Sequence, residues 1–173
     1  MSKNKENFLS TAYIAFGSNL GNLKKTYRLA KESIASIPGV KAVVAAKLYH
    51  TTPVSQVAQP NYLNTVFEVK TTLSAAQLFL KLQEIETRLG KVPKSKEDPR
   101  VVDLDLLLFD RIRLNEKDLT VPHPRMWNRL FVLIPLLDLT DHIPFFGSVR
   151  ERVHMLQLVK NHEEVSPWVE EKL

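Results

Sequence analysis

The sequence predicts an α+β fold of the ferredoxin-like kind: one antiparallel sheet built in the chain order βαββαβ, helices on one face, and a C-terminal helical elaboration. Three observations predict it. Apolar residues recur at helical spacing in two segments, Leu23, Tyr27, Ala30, Ile34 and Ile37 in the first and Leu78, Leu82, Ile85 and Leu89 in the second. Short apolar or alternating runs, the pattern of strands, lie before, between and after them. Turn and cap residues punctuate every boundary.

Residues 13–16 (YIAF) form the first strand, ended by Gly17-Ser-Asn19. Asn19 or Asn22 can cap the first helix, and Pro38-Gly39 stops it. Residues 41–49 (KAVVAAKLY) read as a strand, broken by Thr51-Thr52-Pro53, which opens a loop through Gln59-Pro60. Residues 62–71 alternate as its partner, with Leu63, Thr65, Phe67 and Val69 on one face. Ser74 caps the second helix, and Gly90 ends it. A polar, lysine-rich loop over 91–98 leads into a strand at 99–110, where Leu104, Leu106 and Leu108 share a face. Then come Val121-Pro-His-Pro124, an apolar segment over 126–139 that is helical in part, and an amphipathic stretch over 149–160. There is no internal repeat, no low-complexity tract and no linker. The 173 residues are read as a single domain, 1–173, with a core of about 11–140.

Composition narrows the function. With 44% hydrophobic and 25% charged residues, usage is that of a globular protein with a proper core. The absence of cysteine excludes a disulfide framework, a thiolate metal site and a thiol nucleophile, and it suits a cytoplasmic address. No apolar run reaches the ~18 residues of a membrane span. The basic N-terminus lacks the apolar core of a secretory signal. The net charge of +5 favours anionic partners.

The most informative stretch is Pro99-Arg-Val-Val-Asp-Leu-Asp105. Asp103 and Asp105 sit two apart on a strand and so face the same way. Two such anions repel unless a cation lies between them, and Mg²⁺ on carboxylates usually accompanies a bound phosphate. Arg100 can meet that phosphate. The plainer reading is a surface strand whose aspartates face water. No Gly-x-x-x-x-Gly-Lys phosphate loop occurs, so triphosphate binding would rest on metal and scattered cations: Arg88, Lys91, Lys94, Lys96, Arg100, His123, Arg125 and Arg129. A solvated basic loop is the alternative for the lysines. Tyr62 and Asn64 share the strand face opposite Leu63. A ring to stack on and an amide that both donates and accepts suit a flat heterocycle. Glu86 lies on the apolar stripe of its helix, either at its edge or aimed into a site, with Gln83 one turn earlier on the same flank. His123, fixed between two prolines, is either structural or part of the site.

In order and spacing these features resemble 6-hydroxymethyl-7,8-dihydropterin pyrophosphokinase of folate biosynthesis. The resemblance rests on Tyr13-Ile-Ala-Phe-Gly-Ser-Asn-Leu-Gly21, Tyr49-His-Thr-Thr-Pro53, Gln59-Pro-Asn-Tyr-Leu-Asn64, Pro99-Arg-x-x-Asp-Leu-Asp105, Leu119-Thr-Val-Pro-His-Pro124 and Asn128-Arg-Leu-Phe131. It spans about residues 12 to 140. It implies an ATP-dependent transfer of pyrophosphate to the pterin's hydroxymethyl group, releasing AMP. Asp103 and Asp105 would hold two Mg²⁺ ions, with Arg100 completing the catalytic set. Tyr62 and Phe131 would sandwich the pterin, and Asn64 would read its edge, helped by main-chain groups of Thr51, Thr52 and Val54. Gln83, Glu86, Lys91, Arg100, His123 and Arg129 fall where the family places ATP-binding residues. The loop over 91–98 departs from the family pattern, with lysines for arginines, no tryptophan and Glu97-Asp98 before Pro99; it is expected to close over ATP. The expected partners are the small molecules ATP and pterin, with no nucleic acid and no membrane, and a monomer is expected. An RNA-binding sheet and a pterin- or ATP-binding paralogue without catalysis are the alternative readings.

Overall fold

The structure, a computed structural model, describes residues 8–53, 58–92, 99–143, 146–159 and 163–169. Strand β1 (Ser10–Ser18) leads to helix α1 (Leu23–Ala35), then to β2 (Val40–Ala45), β3 (Tyr49–Thr51) and β4 (Tyr62–Thr71). Helix α2 (Ala75–Arg88) and β5 (Asp103–Phe109) follow, then a small hairpin of β6 (Leu114–Asn115) and β7 (Thr120–Val121). A 3₁₀ turn (Met126–Asn128) and α3 (Leu130–Leu137) come next. β8 (His142–Ile143), β9 (Gly147–Ser148), α4 (Val149–Leu158) and β10 (Val165–Pro167) complete the order.

Local chemistry accounts for the helix boundaries. Of the two candidate caps of α1 it is Asn22 whose side chain accepts from Lys25 N; Asn19 is buried and has another task. At α2, Ser74 and Gln77 form a reciprocal capping box, satisfying two N–H groups that the helix cannot bond itself. Gly90, at φ +96°, takes the left-handed turn after that helix.

The main sheet is antiparallel, with the order β10-β3-β4-β1-β5 and β2 also paired to β4. The strand expected over 41–49 is in fact two. β2 pairs with the far end of β4, and after the break at residues 46–48 β3 pairs with its near end and runs on to Thr51. The Ala46 amide still bonds the Val66 carbonyl across the break. Thr51 therefore ends a strand where the sequence suggested a breaker.

Helices cover both faces. On one face α1 and α2 bury Ile34, Leu78, Leu82 and Ile85 against Ile14, Phe16, Leu63 and Phe67. On the other, α3 and α4 bury Leu133, Leu136, Val149 and Val153 against Val66 and Leu107. Thus the C-terminal elaboration is a third layer. The reason is in the composition: α3 is LFVLIPLL, apolar on every side, and such a helix must be enclosed. A register shift between β1 and β5 at Tyr13/Ile14 corrects another expectation. Leu104 and Leu106 face α1 and α2, whereas Leu107 and Leu108 both join the opposite core and Phe109 returns to the first.

Candidate active site

The sheet brings the predicted residues into rows. In register, Asn64 of β4 lies opposite Gly17 of β1, which lies opposite Asp103 of β5. The next row is Val66, Ala15 and Asp105. Directly opposed residues point to the same face, so the amide and both carboxylates emerge together on the α3 side. Gly17 makes the row possible. A Cβ there would sit 3.0 Å from Asn64 Oδ1. Asn64 is buried, and its amide nitrogen donates to Thr51 Oγ1 at 2.6 Å.

Asp103 is held by two cations. The Arg100 guanidinium donates to Oδ2, and Lys91 Nζ lies 2.7 Å from Oδ1. Burial opposes charge on Arg100 and Lys91, but the facing carboxylates outweigh it and raise the pKa of each. The same Lys91 donates to Glu86 Oε1 at 2.7 Å, and that oxygen also accepts from Leu104 N at 2.6 Å. Glu86, only 7% exposed, thus ties α2 to the start of β5 and fixes Lys91 against Asp103. Burial raises its carboxyl pKa, against the pull of Lys91 and the Leu104 amide. Gln83 lies exposed on the flank of α2 and makes no side-chain hydrogen bond to this cluster among the described residues.

Asp105 contrasts with its neighbour. Half-buried, its carboxylate has no hydrogen bond and no ion pair among the described residues. Three basic side chains feel its charge, the imidazole of His123 and the guanidinium groups of Arg129 and Arg100. His123 N donates to the Leu107 carbonyl at 2.8 Å, and its Nδ1 accepts from Arg125 N at 3.3 Å. Burial, with Arg129 and Arg125 nearby, pushes its pKa down. The ring is therefore neutral at neutral pH, and with Nδ1 accepting, Nε2 carries the proton. Arg129 also lies over the Phe131 ring, 5.3 Å from its centroid.

Tyr62 stands at the start of β4 with its hydroxyl donating to Gln59 Oε1 at 3.2 Å. Gln59 in turn accepts from Asn19 Nδ2 at 3.0 Å, which also reaches the Pro60 carbonyl. On its other side Asn19 Oδ1 accepts from Arg100 N at 2.7 Å. One buried amide thus links the Tyr62 approach to the Arg100 approach. Sequence reasoning missed it, reading Asn19 as a possible cap; with Asn22 able to cap α1, the second asparagine was the available signal. The Thr52 N–H is already given to the Glu164 carbonyl. Val54, Lys94 and Lys96, with residues 93–98 of the expected closing loop, lie outside the described residues.

Two carboxylates fringed by cations beside a buried amide and a partly buried ring suit one class of protein, enzymes that transfer phosphate-type groups. Comparison with known proteins makes this particular. The family described as 7,8-dihydro-6-hydroxymethylpterin-pyrophosphokinase matches residues 13–141. A Bacillus subtilis 2-amino-4-hydroxy-6-hydroxymethyldihydropteridine pyrophosphokinase is 39% identical over 76% of this chain and 79% of its own. The Haemophilus influenzae protein of the same name is 35% identical over 77% and 83%. A crystal structure of Plasmodium falciparum HPPK-DHPS shares the fold, with a TM-score of 0.65 at 13% identity, over 88% of this chain and 46% of that one. The present chain thus spans about half the length of that solved protein. The chain belongs to the pyrophosphokinase family, and its reaction is the transfer of pyrophosphate from ATP to hydroxymethyldihydropterin in folate biosynthesis.

Proposed function

We propose that the second-face rows where β1 ends and β4 and β5 begin are where this transfer takes place. The carrying observation is the half-buried Asp105 carboxylate, which has no hydrogen bond and no ion pair among the described residues, on the same face as Asp103. A carboxylate in that state calls for a cation. Among the described residues there is no cluster of three His, Cys, Asp or Glu side chains to hold a metal alone. Two carboxylates fit Mg²⁺ all the same, because that ion usually keeps waters and completes its shell with substrate phosphates. Asp103 and Asp105 would hold two such ions, which when bound supply charge neutralisation to the triphosphate.

The chain's own residues do the rest. Arg100 and Lys91, already charged beside Asp103, meet further phosphate oxygens, and Glu86 positions Lys91. The His123 Nε2–H donates toward the phosphates, and Arg129 adds charge from the α3 side. Tyr62 and Phe131 take the pterin rings, and Asn64 reads the edge with the amide capacity that Thr51 leaves. The pterin hydroxyl oxygen forms a bond to the β-phosphorus, the bond from that phosphorus to the α-phosphate oxygen breaks, AMP leaves, and the hydroxyl proton passes to solvent. Such transfers depend on positioning and charge more than on a protein base.

The sheet order β5-β1-β4, with β2 and β3 both on β4, supports a ferredoxin-like core. A single-domain cytoplasmic monomer is part of the same proposal. No described helix is long and apolar enough to cross a membrane. The test is AMP release with the pterin present. Asp103→Ala and Asp105→Ala should each abolish it, and a double variant with near-full Mg²⁺-dependent activity would overturn the assignment.

A further inference from the structure

The residues after α4 lie beyond the family match, which ends at 141. Yet they touch both walls of the proposed pterin slot. Helix α3 starts without a cap of its own, since its N-cap residue, Arg129, has no side-chain cap bond. An uncapped start leaves several N–H groups without partners. Glu163 supplies the missing acceptor from far along the chain: Oε2 accepts from Leu130 N at 2.6 Å and from Phe131 N at 3.4 Å. Its negative charge sits where the helix end is positive, and it favours the charged state of Arg129.

The same segment then runs along the opposite wall. β10 pairs antiparallel with β3, Val165 opposite Thr51 and Pro167 opposite Tyr49. Glu164 exchanges two hydrogen bonds with Thr52, its carbonyl accepting from the Thr52 amide and its own amide donating to Thr52 Oγ1. Trp168 N donates to the Leu48 carbonyl, and the indole stacks on His50 at 4.0 Å between centroids. Val165 packs on the second core and Trp168 on the first, so the segment wraps the sheet edge. β3 has only three residues, and it carries Thr51, the partner of Asn64.

We infer that residues 163–168 form a clamp on the pterin slot, with Glu163 as its positioning residue: the carboxylate sets Phe131 on α3, and β10 sets Thr51 and Asn64 on the facing sheet. The inference rests on Tyr62, Asn64 and Phe131 being that slot.

The test is titration of hydroxymethyldihydropterin into the full chain, with a non-hydrolysable ATP analogue and Mg²⁺ present, and of the analogue by itself. Glu163→Ala should weaken pterin binding about five- to tenfold, as the α3 amides lose their acceptor, and change analogue affinity by less than about twofold. Glu163→Gln should bind pterin within about twofold of the parent, because the amide oxygen accepts the same bonds. Trp168→Ala, which removes the stack on His50 of β3, should weaken pterin about threefold, and it keeps the idea testable if Glu163→Ala does not fold. Asn64→Ala separates the two readings. If it weakens pterin while neither Glu163→Ala nor Trp168→Ala does, the clamp is wrong and the slot stands. If Asn64→Ala has no effect, the slot reading falls and the clamp with it. A Glu163→Gln variant as weak as Glu163→Ala, or equal losses for both ligands, would also overturn the clamp.

Discussion

Gly17 serves space rather than turn geometry, for its φ is not among the positive ones. Its missing Cβ lets the Asn64 amide lie in the row with Asp103. Gly17→Ala should displace that amide and raise the pterin KM about tenfold, with a stability loss of about 1 kcal/mol; steady-state kinetics and urea unfolding measure the two effects. A larger loss for ATP than for pterin would place Asn64 elsewhere in the reaction. The two aspartates differ in the same way. Both alanine variants should be inactive, but among the described residues Asp103 has ion pairs to lose, with Lys91 and Arg100, and Asp105 has none. Asp105→Ala should match the parent's urea midpoint or exceed it, whereas Asp103→Ala should lose on the order of 1 kcal/mol, its cations being partly solvated. Equal midpoints for the two would mean that the Lys91 and Arg100 contacts contribute nothing to the fold. The sequence displays the repelling pair and not the cations that answer Asp103.

At the scale of elements, Glu86 joins a helix to a strand. Its pKa is raised from the ordinary 4.5, so the folded state holds the proton more tightly than the unfolded chain. Its contribution to stability is then fully present below the unfolded value and is lost as pH rises through the folded one. At neutral pH the ionised carboxylate is a net cost relative to a neutral acceptor. Glu86→Gln should therefore be at least as stable as the parent at pH 7, its carbonyl still taking the Leu104 amide, and should flatten the parent's loss of stability as pH rises above 4.5. Glu86→Ala, which leaves that buried amide without an acceptor, should lose about 1–3 kcal/mol. Unfolding curves across pH decide it; a Gln variant less stable than the parent at pH 7 would show that the charge pairing with Lys91 dominates instead. Elements were legible where their signals are local. The cap at Ser74 is a local signal and stands as expected, with Gln77 completing it as a capping box. The break between β2 and β3 and the shift in β5 were not, because both follow from how β4 and β1 pair, and pairing is set by partners distant in sequence.

For the whole molecule, the charge of +5 and the cations around Asp103 and Asp105 act on the two substrates unequally. ATP carries several negative charges and the pterin none. Raising salt from about 0.05 M to 0.5 M should raise the ATP KM several-fold while the pterin KM moves less than about twofold. Steady-state kinetics at fixed Mg²⁺ measure this, and equal responses would mean that the cations serve the fold rather than the nucleotide. Period and caps in the sequence set α1 and α2, and the sequence also carried the α+β class and the chemical identity of the site residues, since two aspartates, an amide, a histidine and arginines have their chemistry wherever they lie. The tertiary structure alone decided that Asn64, Gly17 and Asp103 form one row, that Asn19 ties the loop before Tyr62 to Arg100, that a third layer covers the second face, and that Glu163 caps α3 from 33 residues away. The physical reason is range. Propensity, periodicity and capping act within about a turn or a pleat, and one chain displays them openly. Register, burial and pKa depend on which distant groups arrive at the same place, and only the folded packing brings them there.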